Sequence, residues 1–376
     1  MKQKITVLGA GMVGRVMAAD LSKSFDVTVA DLNETSLKEA KKNVRIKTLI
    51  TDFTNPTQIQ KAIAQADLVV GAVPGHMGFN MLKTVIEARK NIVDISFFPE
   101  DAFTLNKLAL KNNVTAIVDC GVAPGMDNII LGYHYHCMKV NRFVCFVGGL
   151  PVQRIIPWQY KAPFSPIDVI EEYTRPARLM ENGKVVIRPA LSEPELLHFD
   201  NIGTLEAFNT DGLRTLLQLK VPFMIEKTLR YPGHIEFMKV LRDTGFFSNE
   251  EVEIKGLKVR PIDVVGKLLF KHWKYEKGEE DFTVMRVIVE GSEDKNLKRY
   301  TYNLLDRYDH TTNTSSMSRT TGYTATAAVN LLLCKQYNSK GIISPEMLGK
   351  ISSCFDFILN YLKARGVNYT IKEEII

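Results

Sequence analysis

The chain has 376 residues, of which 45% are hydrophobic and 24% charged, enough apolar material for two or three domains with full cores. Its net charge of +6 is modest and comes without a Lys/Arg block, so no nucleic-acid partner is expected. Five cysteines (Cys120, Cys137, Cys145, Cys334, Cys354), with no C-x-x-C pair, argue against a disulfide framework or a thiolate zinc site and for reduced thiols.

The opening MKQKITVLGAGMV sets lysines before apolar residues as a signal peptide does. Glycines, Arg15 and Asp20 interrupt the run, however, and no small-residue cleavage pattern follows. No later segment reaches ~18 charge-free apolar residues, so no membrane span is expected, and a soluble cytoplasmic protein is.

Through residues 1–122 short apolar runs alternate with helix-like stretches. The runs are KITVLGA, DVTVADL, VRIKTLI, ADLVVGAVP, NIVDISF and TAIVDCGVAPG. Between them lie VGRVMAADLSKS, ETSLKEAKKN, PTQIQKAIAQ, FNMLKTVIEARK and AFTLNKLALKNN, all with helical apolar spacing. That alternation predicts βαβ units in a parallel, doubly wound sheet of the α/β class.

The first run ends in Gly9, Gly11 and Gly14, which enclose Met12 and Val13 in G-A-G-M-V-G and open a helix. In a Rossmann dinucleotide fingerprint, Gly9 makes the tight turn, Gly11 lets a pyrophosphate approach the backbone, and Gly14 lets helix pack on strand. The helix N-terminus then offers N–H donors to the diphosphate. The second run ends in Asp31, near the expected offset for an acid on the adenosine ribose, so NAD is expected over NADP. Other strand ends give position-based cofactor candidates: Asp52 and Phe53, then Ala72, Val73 and Pro74, then Asp94 and Ser96.

From residue 123 to 317 the runs become longer and more β-rich (RFVCFVGGL, PELLHFD, FTVMRVIVEG, KRYTYNLLDRYD). Helices such as PIDVIEEYT and PIDVVGKLLFKHW lie among them. An α+β catalytic domain with a mixed, open sheet is expected. Residues 318–376 turn helical again and are expected to complete the first domain. Three stretches crowd reactive side chains: VDCGVAPGMDN with Asp119, LEAFNTDGLRTL with Glu206, Asp211 and Arg214, and KTLRYPGHIEF with Arg230 and His234. In YHYH, His134 and His136 sit two apart on a helix-like segment and so do not share a face, and no metal is expected.

These stretches, with FVGGLPVQ, LSEPELLHF, EAFNTDG, TLRYPGH and MSRTTGYTA, resemble the saccharopine dehydrogenase family over nearly the whole chain, and within it the lysine 6-dehydrogenases. The resemblance implies a Rossmann domain closed by C-terminal helices, an intervening catalytic domain, and oxidation of a carbon–nitrogen bond at the side-chain end of a lysine-derived amino acid. Three departures separate the chain from saccharopine reductases. Ala123 stands where they carry Asp before Pro-Gly, Val147 where they carry Cys before Gly-Gly, and NTDG where they carry Asn-Arg-Asp.

Lysine 6-dehydrogenation makes definite demands. A protonated ε-ammonium has no lone pair to expel hydride, so a base must first take a proton. An arginine is the natural anchor for the α-carboxylate. On this reading Arg230 anchors the carboxylate, with Arg214 as second choice. Glu206 or Asp211 faces the amine, His234 carries a proton, Asp119 is a further acid–base candidate, and Thr320 contacts substrate. Plainer alternatives are a structural salt bridge for Arg230, a helix cap or ion pair for Glu206, and a satisfied core histidine for His234. The alternative functions are a saccharopine or carboxynorspermidine dehydrogenase acting on a secondary amine, or a non-catalytic NAD-binding protein. The open sheet leads us to expect a homodimer or larger homo-oligomer.

Overall fold

The computed structural model describes residues 2–42, 44–162, 166–276 and 278–376. Two compact units emerge: Met1–Cys137 with Ser318–Asn368, and Met138–Met317 with Tyr369–Ile376.

In the first unit β1 (Lys4–Leu8), β2 (Asp26–Asp31), β3 (Lys47–Ile50), β4 (Leu68–Gly71), β5 (Asn91–Asp94) and β6 (Thr115–Ile117) alternate with α1 (Met12–Ser22), α2 (Glu34–Lys41), α3 (Pro56–Ile63), α4 (Gly75–Glu87) and α5 (Asn106–Lys111). Strands with both faces covered need continuous apolar runs, and LVVG of β4 is buried at every residue. The helices start where the sequence provides a cap. Asn33 accepts from Ser36 N at the head of α2, and Asn55 accepts from Thr57 N ahead of Pro56 at the head of α3. After β6 comes the loop GVAPG, then α6 (Met126–Cys137), which belongs to this unit and carries its boundary beyond residue 122.

The second unit opens on the long β7 (Lys139–Pro151). There follow α7 (Pro166–Thr174), β8 (Ala177–Glu181), β9 (Lys184–Arg188), β10 (Glu195–Phe199), β11 (Gly203–Asn209), β12 (Phe223–Arg230) and α8 (His234–Asp243). A small hairpin of β13 (Val252–Ile254) and β14 (Leu257–Val259), then α9 (Pro261–Trp273), β15 (Asp281–Glu293) and β16 (Asn296–Arg307) complete it. Val169, Ile170 and Tyr173 of α7, Ile235 and Met238 of α8, and Leu269 and Trp273 of α9 form one core with Phe208, Leu229 and Val284 of the strands.

The chain then returns through α10 (Ser316–Leu333), β17 (Gly341–Ile343), α11 (Pro345–Gly349) and α12 (Ser352–Lys363), and ends in β18 (Tyr369–Ile375). Among the described residues the first sheet is seven-stranded and parallel, in the order β17-β6-β5-β4-β1-β2-β3. The second has nine strands along β10-β11-β12-β7-β15-β16-β18, with β8 on β12 and β9 on β8. It is mixed, because β12 and β7 run parallel. The last segment therefore contributes two strands as well as helices: β17 extends the first sheet, and β18 pairs with β16 at the edge of the second. Among the described residues no helix is long and apolar enough to cross a membrane.

Candidate active site

The first unit carries a dinucleotide cradle at the carboxyl ends of its strands. Gly9 has φ +113, in the left-handed region, and a Cβ there would run into the Ala72 carbonyl. A Cβ on Gly14 would strike the Gly9 carbonyl, so α1 lies as close to the turn as two backbones allow. At Gly11 a Cβ would meet nothing within 4 Å, which leaves the approach to the helix end open. Gly11 caps α1 without a side-chain bond, and Met12 and Val13 form the first turn. These N–H groups and the helix dipole suit a diphosphate. Asp31 closes the cradle: its Oδ2 accepts from Ala10 N at 2.6 Å and its Oδ1 from Asn33 N at 2.8 Å. The residues present fit a dinucleotide.

The neighbouring strand ends differ in what they offer. Asp52 spends Oδ1 on the backbone and hydroxyl of Thr54, bonds that hold its carboxyl below the usual range. Phe53 and Thr54 line a groove of about 480 Å³ whose opposite wall is α4, with His76, Met77 and Lys83. Val73 is buried, whereas Pro74, the cap of α4, is exposed. Asp94 and Ser96 are both buried and bonded to each other, Ser96 Oγ donating to Asp94 Oδ1 at 2.8 Å. Asp119 follows β6 at φ +53 and is 4% exposed. Beyond it, Asp127 and Asn128 both accept from Gly125 N, at 2.9 and 3.0 Å, and fold the GVAPG turn against the start of α6. Burial, reinforced by Glu346, pushes the Asp127 carboxyl up to about 7. Thr320 lies buried in α10.

In the second unit Glu206 and Arg230 are register partners on β11 and β12, yet each turns to a different neighbour. Glu206 accepts from Gly233 N at 3.1 Å, at the head of α8. Arg230 is 2% exposed and holds Glu172 of α7 at 2.6 Å. It also donates to Tyr173 Oη at 3.2 Å and to its neighbour's carbonyl, Leu229 O, and stacks 4.4 Å from the Tyr160 ring. Trp158 O can only accept, so His234 Nδ1–H donates to it at 2.8 Å. The neutral ring then accepts at Nε2 from Tyr173 Oη at 3.0 Å, and Tyr173 in turn accepts from Arg230 Nε. Burial, with the Arg230 charge added, pushes His234 down to about 3. Both ring nitrogens are engaged and the ring stays neutral, so His234 packs and orients and is not placed to carry a proton. Asp211 takes a bidentate grip from Arg178, 2.8 Å on each arm, and a further bond from Arg178 N. Arg214 stays half-buried at φ +45, a left-handed position that non-glycine residues rarely hold without a local demand.

Sequence reasoning did not identify Glu172, Tyr173, Tyr160 or Arg178. One signal existed: Glu172 stands three residues after Val169 and one before Tyr173, on the apolar stripe of α7, where an acid announces a buried partner. Arg178 lies 33 residues from Asp211, with no local pattern joining them.

Residues 121–367 match the model of the saccharopine dehydrogenase C-terminal domain, and residues 5–117 that of the saccharopine dehydrogenase NADP-binding domain. The chain belongs to the saccharopine dehydrogenase family. It is 28% identical over 265 residues to the saccharopine dehydrogenase [NADP(+), L-glutamate-forming] of Pyricularia oryzae, a match covering 66% of this chain and 59% of that protein. It thus spans less than two thirds of that relative's length. Among solved structures it resembles apo saccharopine dehydrogenase (L-Glu forming) from Saccharomyces cerevisiae, with a TM-score of 0.79, 21% identity, and 99% of this chain and 100% of the other covered. The homospermidine synthase of Legionella pneumophila in complex with NAD gives a TM-score of 0.68 at 12% identity, covering 100% and 92%. At these identities the two structures establish the saccharopine dehydrogenase fold and nothing finer.

Proposed function

We propose that this chain is an oxidoreductase of lysine-derived amines, and specifically that it oxidises the side-chain carbon–nitrogen bond of L-lysine with NAD, releasing ammonia and 2-aminoadipate 6-semialdehyde. The observation that carries the reading is the Asp31 carboxylate held beside the glycine cradle in a chain of this family. A 2′-phosphate would face that carboxylate, and no Arg or Lys follows it before Lys38. NADP, named in the curated relative, is the competing assignment.

A bound nicotinamide supplies the hydride acceptor. The residues of the chain do the rest. The N–H groups at the head of α1 hold the diphosphate and Asp31 the ribose. Asp119, at a strand end on the cofactor side of the sheet, takes the proton from the substrate ammonium so that the nitrogen has a lone pair to expel hydride. Arg214 is the candidate anchor for the α-carboxylate; the guanidinium of Arg230 is engaged by Glu172, Tyr173 and Tyr160. Arg178 and Asp211 brace the loop that presents Arg214.

The second reading is a saccharopine-type enzyme acting on a secondary amine. It is favoured by the Pyricularia relative and disfavoured by Ala123, Val147 and NTDG. Incubation with NAD and L-lysine, with saccharopine in parallel, separates the two. NADH and ammonia from lysine support the proposal; NADH and glutamate from saccharopine alone contradict it.

A further inference from the structure

We infer that Asp94 and Asp119 form one proton-holding pair, in which Asp119 receives the proton of the substrate amine and Asp94 is the buried positioning residue that shares it. The inference deepens the proposed function and rests on its assignment of Asp119.

Asp94 ends β5 and Asp119 follows the end of β6, neighbouring strands at the carboxyl edge of the sheet, where doubly wound folds bind their ligands. The two loops are tied directly, since Cys120 N donates to the Asp94 carbonyl at 3.1 Å. Asp94 is fully buried. Its Oδ1 accepts twice from Ser96, from N at 3.2 Å and from Oγ at 2.8 Å, while its Oδ2 is buried with no hydrogen-bond partner. A carboxylate oxygen left so is costly unless it carries a proton or faces one. Its seat is made for it: Gly71 of β4 lies against Oδ1, and any Cβ there would collide with the carboxyl.

Around Asp94 the β4 and α4 side contributes Gly71 and Met81, neither ionisable, its own loop contributes Ser96, and the β6 side contributes Asp119 and Cys120. Burial, with the Asp119 charge adding to it, pushes Asp94 up to about 7, and the same acids and burial push the Cys120 thiol far up, so it stays protonated.

Asp119 thus sits next to a buried acid, Asp94, that can take up or release a proton near neutrality. In the step itself one N–H bond of the ammonium breaks, one O–H bond forms on Asp119, and no electrons leave the nitrogen. The neutral amine and the singly protonated pair are the products.

The test combines infrared titration of the carboxyl C=O stretch, without substrate, with pH profiles of kcat for wild type, Asp94→Asn and Asp94→Ala. Wild type should show protonated carboxyl absorbance at pH 6 that is lost with a midpoint near 7, and Asp94→Asn should lack the Asp94 share of it while the Asp127 share remains. Asp94→Asn keeps an acceptor for Ser96 but cannot hold the proton. Its kcat should drop at least about tenfold, and the inflection should move to more acid pH by a unit or more. No protonated band in wild type at pH 6, or an Asp94→Asn profile that overlays wild type, overturns the inference. If the band behaves as expected but no amine is oxidised, the proposed function fails while the shared proton stands.

Discussion

Asp20, near the end of α1, and Arg365, beyond α12, are joined across 345 residues: Arg365 Nε lies 2.9 and 2.8 Å from the two carboxylate oxygens. Tyr361 Oη and Thr326 Oγ1 donate to the same carboxylate, each at 2.8 Å, and the guanidinium lies 3.3 Å from the centre of the Tyr361 ring. The C-terminal helices are thereby fastened to the helix that heads the dinucleotide cradle. Burial by itself would raise the Asp20 carboxyl, but Arg365, Tyr361 and Thr326 together hold it below its ordinary value.

Asp20→Asn should therefore lower the stability of the first unit by about 3 kcal/mol, since it leaves a part-buried guanidinium without its charge partner. The sign with pH follows from the lowered value. The contribution is complete above the ordinary carboxylate range and is lost as pH falls through the folded-state value. Urea unfolding of wild type and variant at pH 7 and pH 3 checks this, and the gap between them should close at the lower pH.

Asp31→Ala should weaken NAD by about tenfold and bring NADP level with it, because the ribose acceptor and the charge that opposes a 2′-phosphate go together. The same substitution frees Ala10 N, so the glycine turn loosens and NADP gains less than the charge alone would give it. KM values for both nucleotides decide, and an unchanged NAD/NADP ratio would remove the role given to Asp31.

The two arginines should separate cleanly. Arg214→Ala is expected to raise KM for the amine substrate by roughly a hundredfold, the loss of a charge-assisted bond, while KM for NAD stays put. Arg230→Met should instead cost about 3–5 kcal/mol of stability, as Glu172 is left charged and half-buried beside the aromatic core. Steady-state kinetics beside thermal unfolding distinguish the outcomes.

His234 is pushed down to about 3 in the folded protein, against an ordinary value near 6.5. The unfolded chain thus binds the extra proton, and His234 lowers stability as pH falls from about 6.5 towards 3, with no contribution above neutrality. A His234→Gln variant should show a flatter dependence of unfolding midpoint on pH between 7 and 4. Its kcat profile between pH 6 and 9 should keep the wild-type inflections, because no proton of His234 is exchanged there.

The periodic parts of the chain were legible. Six apolar runs with helices between them became β1–β6 in a parallel sheet, and Gly9, Gly11 and Gly14 each occupy the place their spacing implied. The strands of the last segment were not: GII of β17 is too short to show a period, and YTIKEEI of β18 alternates with charges that suit an edge strand as well as a tail. For the candidate site residues, polarity and position in the sequence marked the segments but not the partners their side chains meet. Glu172, Arg178 and Arg365 reach their counterparts through tertiary packing, and whether a carboxylate caps a helix, as Glu206 does, depends on the backbone that arrives beside it.

The central claim is that hydride passes from the amine-bearing side-chain carbon of lysine to NAD. L-Lysine deuterated at that terminal carbon, incubated with the protein and NAD, tests it in one measurement by mass spectrometry of the reduced nucleotide. The account predicts NADH carrying one deuterium, formed with ammonia in equal amount. NADH without deuterium, or no NADH formed from the labelled lysine, contradicts it.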